Sequence, residues 1–83
     1  MKPRITIYQR DRCHLCEVAA ALLEQIQADF QFELERVDIE SDEQLHARYL
    51  ERIPVICLDG AELYDFEIDL PDLKSRLSAA SAR

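Results

Sequence analysis

The sequence predicts an α/β domain with the order strand, helix, strand, helix, strand, strand, helix, built on a four-stranded mixed sheet with helices on both faces. Three observations predict it. Apolar residues alternate in short runs near the start and middle of the chain. Two longer segments repeat apolar residues every three or four positions. An Asp59-Gly60 pair sits between two strand-like runs, the strongest short-range signal for a two-residue hairpin.

The elements follow in order. Ile5 and Ile7 alternate with Thr6 and Tyr8, predicting a first strand over Arg4–Tyr8. Leu15, Val18, Ala19, Leu22, Leu23 and Ile26 recur at helical spacing, predicting a helix over 13–28 with these residues on its core face. Phe30, Phe32 and Leu34 alternate with polar residues, after which the phase shifts to Val37 and Ile39. This predicts a second, half-exposed strand with a bulge near Arg36. Ser41 and Gln44 form a capping-box pair opening a short helix to Leu50. Pro54–Leu58 is a near-continuous apolar strand and Ala61–Phe66 returns antiparallel to it. Asp69 caps a last helix with Leu70, Leu73 and Leu77 on its apolar side. A right-handed crossover makes the first two strands parallel.

Eighty-three residues make one domain, 1–83, in which the tail 78–83 has little to bury and is expected to fray. Apolar residues are 48% of the chain, with one Gly and three Pro, a globular composition without repeats. The net charge of −7 argues against nucleic acid and anionic membrane as partners, and no run approaches the ~18 apolar residues of a membrane span. Residues 1–16 nevertheless carry Lys2, Arg4, Arg10 and Arg12 against Asp11, a local +3, so residues 17–83 carry −10. Three cysteines cannot close a disulfide framework, and no long apolar leader precedes the first strand. A cytoplasmic, monomeric protein with reducible thiols is the expectation.

Cys13-His14-Leu15-Cys16 carries the chemistry. Placed where a strand hands over to a helix, the pair sets Cys13 at the helix N-terminus, where unpaired N–H groups and the helix dipole favour a thiolate. Arg10 and Arg12 add to this, as does His14 when protonated, although His14 reads equally as an exposed helix-start residue. Cys16 lies one turn on, within reach of a mixed disulfide formed on Cys13. The expected activity is dithiol exchange, with a redox-active Cys13–Cys16 disulfide and no bound cofactor. Two other classes stay open, a non-catalytic binding module and a metal or iron–sulfur carrier. A closed zinc site needs four ligands, and Cys57, His14 and His46 supply no second paired spacing, so no metal site is expected. Cys57, mid-strand among apolar residues, reads as an inert buried thiol. Glu33, Glu35, Glu40, Asp42 and Glu43 read as a solvated face, and His46 and Tyr49 as surface or packing residues.

This ordering, with the CxxC after the first strand, Val37-Asp38-Ile39-Glu40 before a capped helix, and Arg52-Ile53-Pro54-Val55, resembles the thioredoxin superfamily in its minimal, glutaredoxin-like form over residues 4–77. The nearest resemblance is to a family of short glutaredoxin-like proteins with Cys-His-Leu-Cys motifs. It implies a thioredoxin-like βαβαββα fold, a cis Pro54, and an Ile53 backbone that pairs with an extended substrate segment. It implies a disulfide-containing protein or small thiol as substrate, and a reductant such as a thioredoxin reductase or the glutathione system. Arg10 matches a basic residue of glutathione-binding members, three positions before the first cysteine. The Gly-Gly of those members is replaced by Tyr64 and Asp65, whose bulk and charge oppose a glutathione carboxylate, so glutathione use is in doubt.

Overall fold

The computed structural model describes residues 2–81. Its elements are β1 (Arg4–Gln9), α1 (His14–Ile26), β2 (Glu33–Asp38), a single 3₁₀ turn (Ile39–Ser41), α2 (Glu43–Tyr49), β3 (Val55–Leu58), β4 (Ala61–Asp65) and α3 (Leu70–Ser81). One four-stranded sheet has the order β2-β1-β3-β4, with β1 parallel to β2 and antiparallel to β3, and β3 antiparallel to β4. The predicted element order and strand directions are met.

Strand alternation feeds two separate cores. Ile5 and Ile7 of β1, Ile56 of β3 and Phe32 pack with Ala19, Ala20, Leu23 and Ile26 of α1 and Leu73 and Leu77 of α3. The opposite face gathers Ile39, Tyr49, Val55 and Cys57, with Tyr8, Leu45, Leu50 and Ile53 around them. The apolar run of β3 is thus explained by burial on both faces, its residues supplying each core in turn.

Several expectations are corrected. No bulge interrupts β2, which pairs without a break from Arg4↔Glu33 to Gln9↔Asp38. The shift of phase near Arg36 arises because Leu34 packs toward α1 and α3, whereas Ile39, of opposite parity, packs into the α2 core. The irregularity lies instead between Ile56 and Cys57, whose partners are Tyr64 and Glu62, so Leu63 is the extra residue. α1 buries Cys16, Ala19, Ala20, Leu23 and Ile26, while Leu15 and Val18 are 45% and 51% exposed. The helix carries more apolar residues than one seam can cover, and its small pair, Ala19 and Ala20, takes the place against the sheet.

The cap of α2 is Asp42, whose carboxylate accepts the N–H groups of Gln44 and Leu45 at 2.7 and 3.3 Å. Ser41 instead donates its hydroxyl to the Asp38 carbonyl at 2.6 Å within the 3₁₀ turn. Asp69 caps α3 as expected, accepting the N–H of Asp72 at 3.1 Å. Residues 78–81 continue α3, and positions 82 and 83 of the expected tail lie outside the described residues. The Asp59-Gly60 hairpin has φ of 49° and 89°, positive at both central positions as a type I′ turn requires, a conformation for which glycine carries no steric cost. Among the described residues no helix is long and apolar enough to cross a membrane.

Candidate active site at the N-terminus of the first helix

The strand register collects the predicted site at one end of the sheet. Tyr8 pairs with Val55, so the Gln9–Cys13 connection leaves β1 beside the point where Pro54 enters β3. Asp65, at the end of β4, pairs with the same Val55.

Cys13 is the N-cap of α1, with extended backbone angles (φ −109°, ψ 103°), and its Sγ accepts the Cys16 N–H at 3.2 Å. A sulfur in the cap position satisfies one of the orphan donors of the helix start and sits at the positive end of its dipole. Cys13 and Cys16 form a disulfide with Cα atoms 5.2 Å apart. The two are unequal in access: Cys13 is half-buried, whereas Cys16 is 2% exposed. Arg12, just before Cys13, holds a left-handed φ of 61°.

The remaining predicted residues fall around this centre. His14, the first residue of α1, is exposed. Arg10 reaches Glu40 of the 3₁₀ turn at 3.8 Å, so its charge is partly countered. The Ile53–Pro54 peptide bond is cis, as the resemblance implied, and Pro54 is buried. Ile53 donates its N–H to the Tyr49 carbonyl at 3.0 Å, which leaves only its carbonyl for the substrate pairing expected of it. Tyr64 donates its hydroxyl to Asp72 at 2.5 Å, and Arg76 holds the same carboxylate at 2.8 Å. Asp65 is paired with Arg52 at 3.3 Å, and Arg52 also holds Glu62, so the charge expected to oppose a glutathione carboxylate is partly countered.

Other features of the site were not anticipated. A cavity of about 280 Å³ beside α1 is lined by Arg10, Arg12, Cys16, Glu17, Glu24 and Arg36 among others. Arg36, read from sequence only as a bulge position, is ion-paired with Glu24 of α1. Phe66, expected as the end of a strand, has a φ of 65° and is 47% exposed. Neither Arg36 nor Phe66 carries a local signal, since the first depends on α1 lying over β2 and the second on a left-handed turn without glycine. Cys57 is a free buried thiol, and burial, followed by the nearby Glu62 carboxylate, pushes it up from its ordinary value. Among the described residues no group of three or more His, Cys, Asp or Glu is arranged to hold a metal ion.

Comparison with known proteins places this geometry. The glutaredoxin-like domain (DUF836) matches residues 4–78. The chain belongs to that family. A Nitrosomonas europaea protein solved in solution is similar at 32% identity, with 93% of each chain covered and a TM-score of 0.81. A crystal structure of a protein from X. campestris is similar at 38% identity, over 90% of this chain and 96% of that one, with a TM-score of 0.71. An uncharacterized protein of Mycobacterium tuberculosis is 28% identical over 99% of this chain and 86% of its own length. A thioredoxin variant from Halobacterium salinarum, at 18% identity and a TM-score of 0.67 over 94% of this chain and 74% of its own, shares the fold alone. The fold is therefore thioredoxin-like, in a glutaredoxin-like family, with a CxxC at the start of its first helix.

Proposed function

We propose that this protein is a thiol–disulfide oxidoreductase that works by dithiol exchange, as a cytoplasmic, monomeric reductase of disulfide-containing proteins or small disulfides. The observation that carries this reading is the inequality of the two cysteines, one half-open at a helix N-terminus and one buried a turn behind it. In the reduced protein the Cys13 thiolate attacks a substrate disulfide, forming a bond to one substrate sulfur while the other leaves as thiolate. Cys16, on losing its proton, attacks the Cys13 sulfur, breaks that mixed disulfide and releases the second substrate sulfur. Two electrons pass to the substrate and the Cys13–Cys16 disulfide remains. A thioredoxin reductase or the glutathione system restores the dithiol.

Arg12, Arg10 in so far as Glu40 leaves its charge free, and His14 when protonated favour an anion near Cys13, within the limits that solvent screening sets for exposed charges. Ile53, through its carbonyl, and Pro54 border the substrate. Glutathione remains a poor ligand in this reading, but for a steric reason: Tyr64 fills the position that glycine leaves open in glutathione-binding relatives, while Arg52 counters the charge of Asp65.

The test is alkylation against pH, joined to trapping. Cys13 should react first at neutral pH, Cys13→Ser should abolish exchange, and Cys16→Ser should accumulate a mixed disulfide with substrate. Preferential labelling of Cys16 or Cys57, or full turnover by Cys13→Ser, would overturn the assignment.

A further inference from the structure

Phe66 is the residue whose conformation the fold explains least. It follows β4 with φ 65°, a region that bulky L-residues rarely occupy. The Glu67 N–H donates to the Asp65 carbonyl at 2.7 Å, which closes a three-residue γ-turn with Phe66 at its centre. Positive-φ γ-turns are rare and strained. The Phe66 N–H is itself fixed, donating to the Pro54 carbonyl at 2.9 Å. Glycine would meet the same backbone at no steric cost. Burial offsets only part of the strain, because Phe66 keeps 47% of its surface exposed. Strain kept at an exposed side chain points to a use of that side chain.

Its position suggests the use. Asp65 and Val55 are paired, and Val55 pairs with Tyr8, so Phe66 leaves the sheet at the end from which the Cys13 connection also departs. β4 lies two strand spacings from β1, about 10 Å. Leu15, between the two cysteines in the sequence and in the first turn of α1, is 45% exposed.

We propose that Phe66 is a specificity-determining residue of the exchange site, and that it and Leu15 form apolar walls for an extended polypeptide segment carrying the substrate disulfide. The proposal rests on the oxidoreductase reading. A small disulfide joined to Cys13 does not span two strand spacings. An extended polypeptide, rising about 3.4 Å per residue, does so within roughly three residues of its cysteine. The Ile53 carbonyl, at the start of the intervening strand, can accept an N–H from such a segment.

The experiment compares wild type, Phe66→Gly and Phe66→Tyr on two substrates. One is a disulfide-linked peptide with a leucine three residues from its cysteine, and the other is hydroxyethyl disulfide. In Phe66→Gly the ratio of kcat/KM for peptide over small disulfide should fall about 10-fold, through a raised KM for the peptide, as lost apolar contact implies. Phe66→Tyr should restore the ratio. Phe66→Gly should also melt no lower than wild type, since the strained turn relaxes. An unchanged ratio, or a lower Tm with the ratio unaltered, would overturn the proposal and make the ring structural. Wild-type protein active on both substrates with an unchanged ratio in Phe66→Gly overturns this proposal alone. Wild-type protein inactive on both removes the oxidoreductase reading and this proposal with it.

Discussion

The two faces of the sheet solve the same burial problem with different materials. On the side of α1 and α3, two helices of 13 and 12 residues seal an interior of Ile, Leu, Ala and Phe, in which Leu23, Leu73 and Leu77 are fully buried. On the other side the seven-residue α2 covers less area, and the cover is completed by an aromatic and ionic assembly. Tyr8 and Tyr49 stack with ring centroids 4.5 Å apart. Arg48 and Arg52 lie 5.3 and 5.5 Å from the centre of the Tyr49 ring. Glu62 binds both guanidinium groups and accepts from the Tyr49 hydroxyl. A long helix can shield a sheet with hydrocarbon alone, whereas a short one leaves a rim where amphipathic side chains bury their apolar stems and keep their charges wet. The first face should therefore answer mainly to lost volume, and the second to loss of the Glu62 charge.

The largest effect should follow from opening the hydrocarbon face. Leu23→Ala and Leu73→Ala each remove a fully buried side chain and should cost about 3–5 kcal/mol in denaturant unfolding. A loss below about 1 kcal/mol at either position would mean that this core does not dominate stability.

Glu62→Gln on the opposite face should cost about 1 kcal/mol, because exposed ion pairs contribute modestly even when one carboxylate serves several partners. A loss as large as that of Leu73→Ala would erase the distinction between the faces.

The same variant sharpens the contrast through pH. The Glu62 carboxyl is held below the usual carboxylate range, first by its hydrogen bond from Arg52 and then by the charges of Arg52 and Arg48. A depressed folded-state pKa contributes stability that is present above the unfolded value, here 4.5, and is lost as pH falls through the folded one. Wild-type stability should fall below pH 4.5 more steeply than that of Glu62→Gln. Parallel acid limbs would show that the Glu62 network contributes nothing. Asp72, lowered by Tyr64 and then Arg76, gives the first face a similar but separate acid response at its rim.

The smallest effect is alkaline. Tyr64 is pushed up to about 12, by burial first and by its hydrogen bond to Asp72 second. A raised pKa gives stability that is complete below 10.0 and lost as pH rises toward 12, because the unfolded chain ionises first. Tyr8 and Tyr49 are raised as well, mainly by burial. Absorbance titration of tyrosinate should therefore show no tyrosine ionising at its ordinary value, and Tyr64→Phe should remove the latest component. A full-amplitude transition centred at pH 10 would contradict both packing arrangements.

Legibility in the sequence tracked the range of the interactions involved. Ile5, Ile7, Asp59-Gly60 and the spacing of Leu73 and Leu77 are local patterns, and each led to the right element. The sequence places the cap of α2 one residue early because Ser41 and Asp42 both offer a cap oxygen, and only the 3₁₀ turn ahead of them consumes Ser41. Periodicity alone assigns Leu15 and Val18 to the core because a helix with two apolar stripes does not reveal which one meets the sheet. At the candidate site, Cys13, Cys16 and Pro54 were legible from spacing and resemblance. The engagement of the Ile53 N–H and the pairing of Asp65 with Arg52 were not, since each joins segments that only the fold brings together.

The sequence by itself determined the order and type of the elements, the hairpin, and a dithiol at a strand-to-helix junction, because these depend on side-chain periodicity, on backbone preferences and on neighbours a few residues away. The tertiary structure alone decided which stripe of α1 is buried, how β2 and the 3₁₀ turn after it feed opposite cores without a bulge, and that Phe66 stands strained and half-exposed beside Pro54. Those outcomes depend on competition for limited contact area and on pairings between distant strands, neither of which is encoded at any single position of the chain.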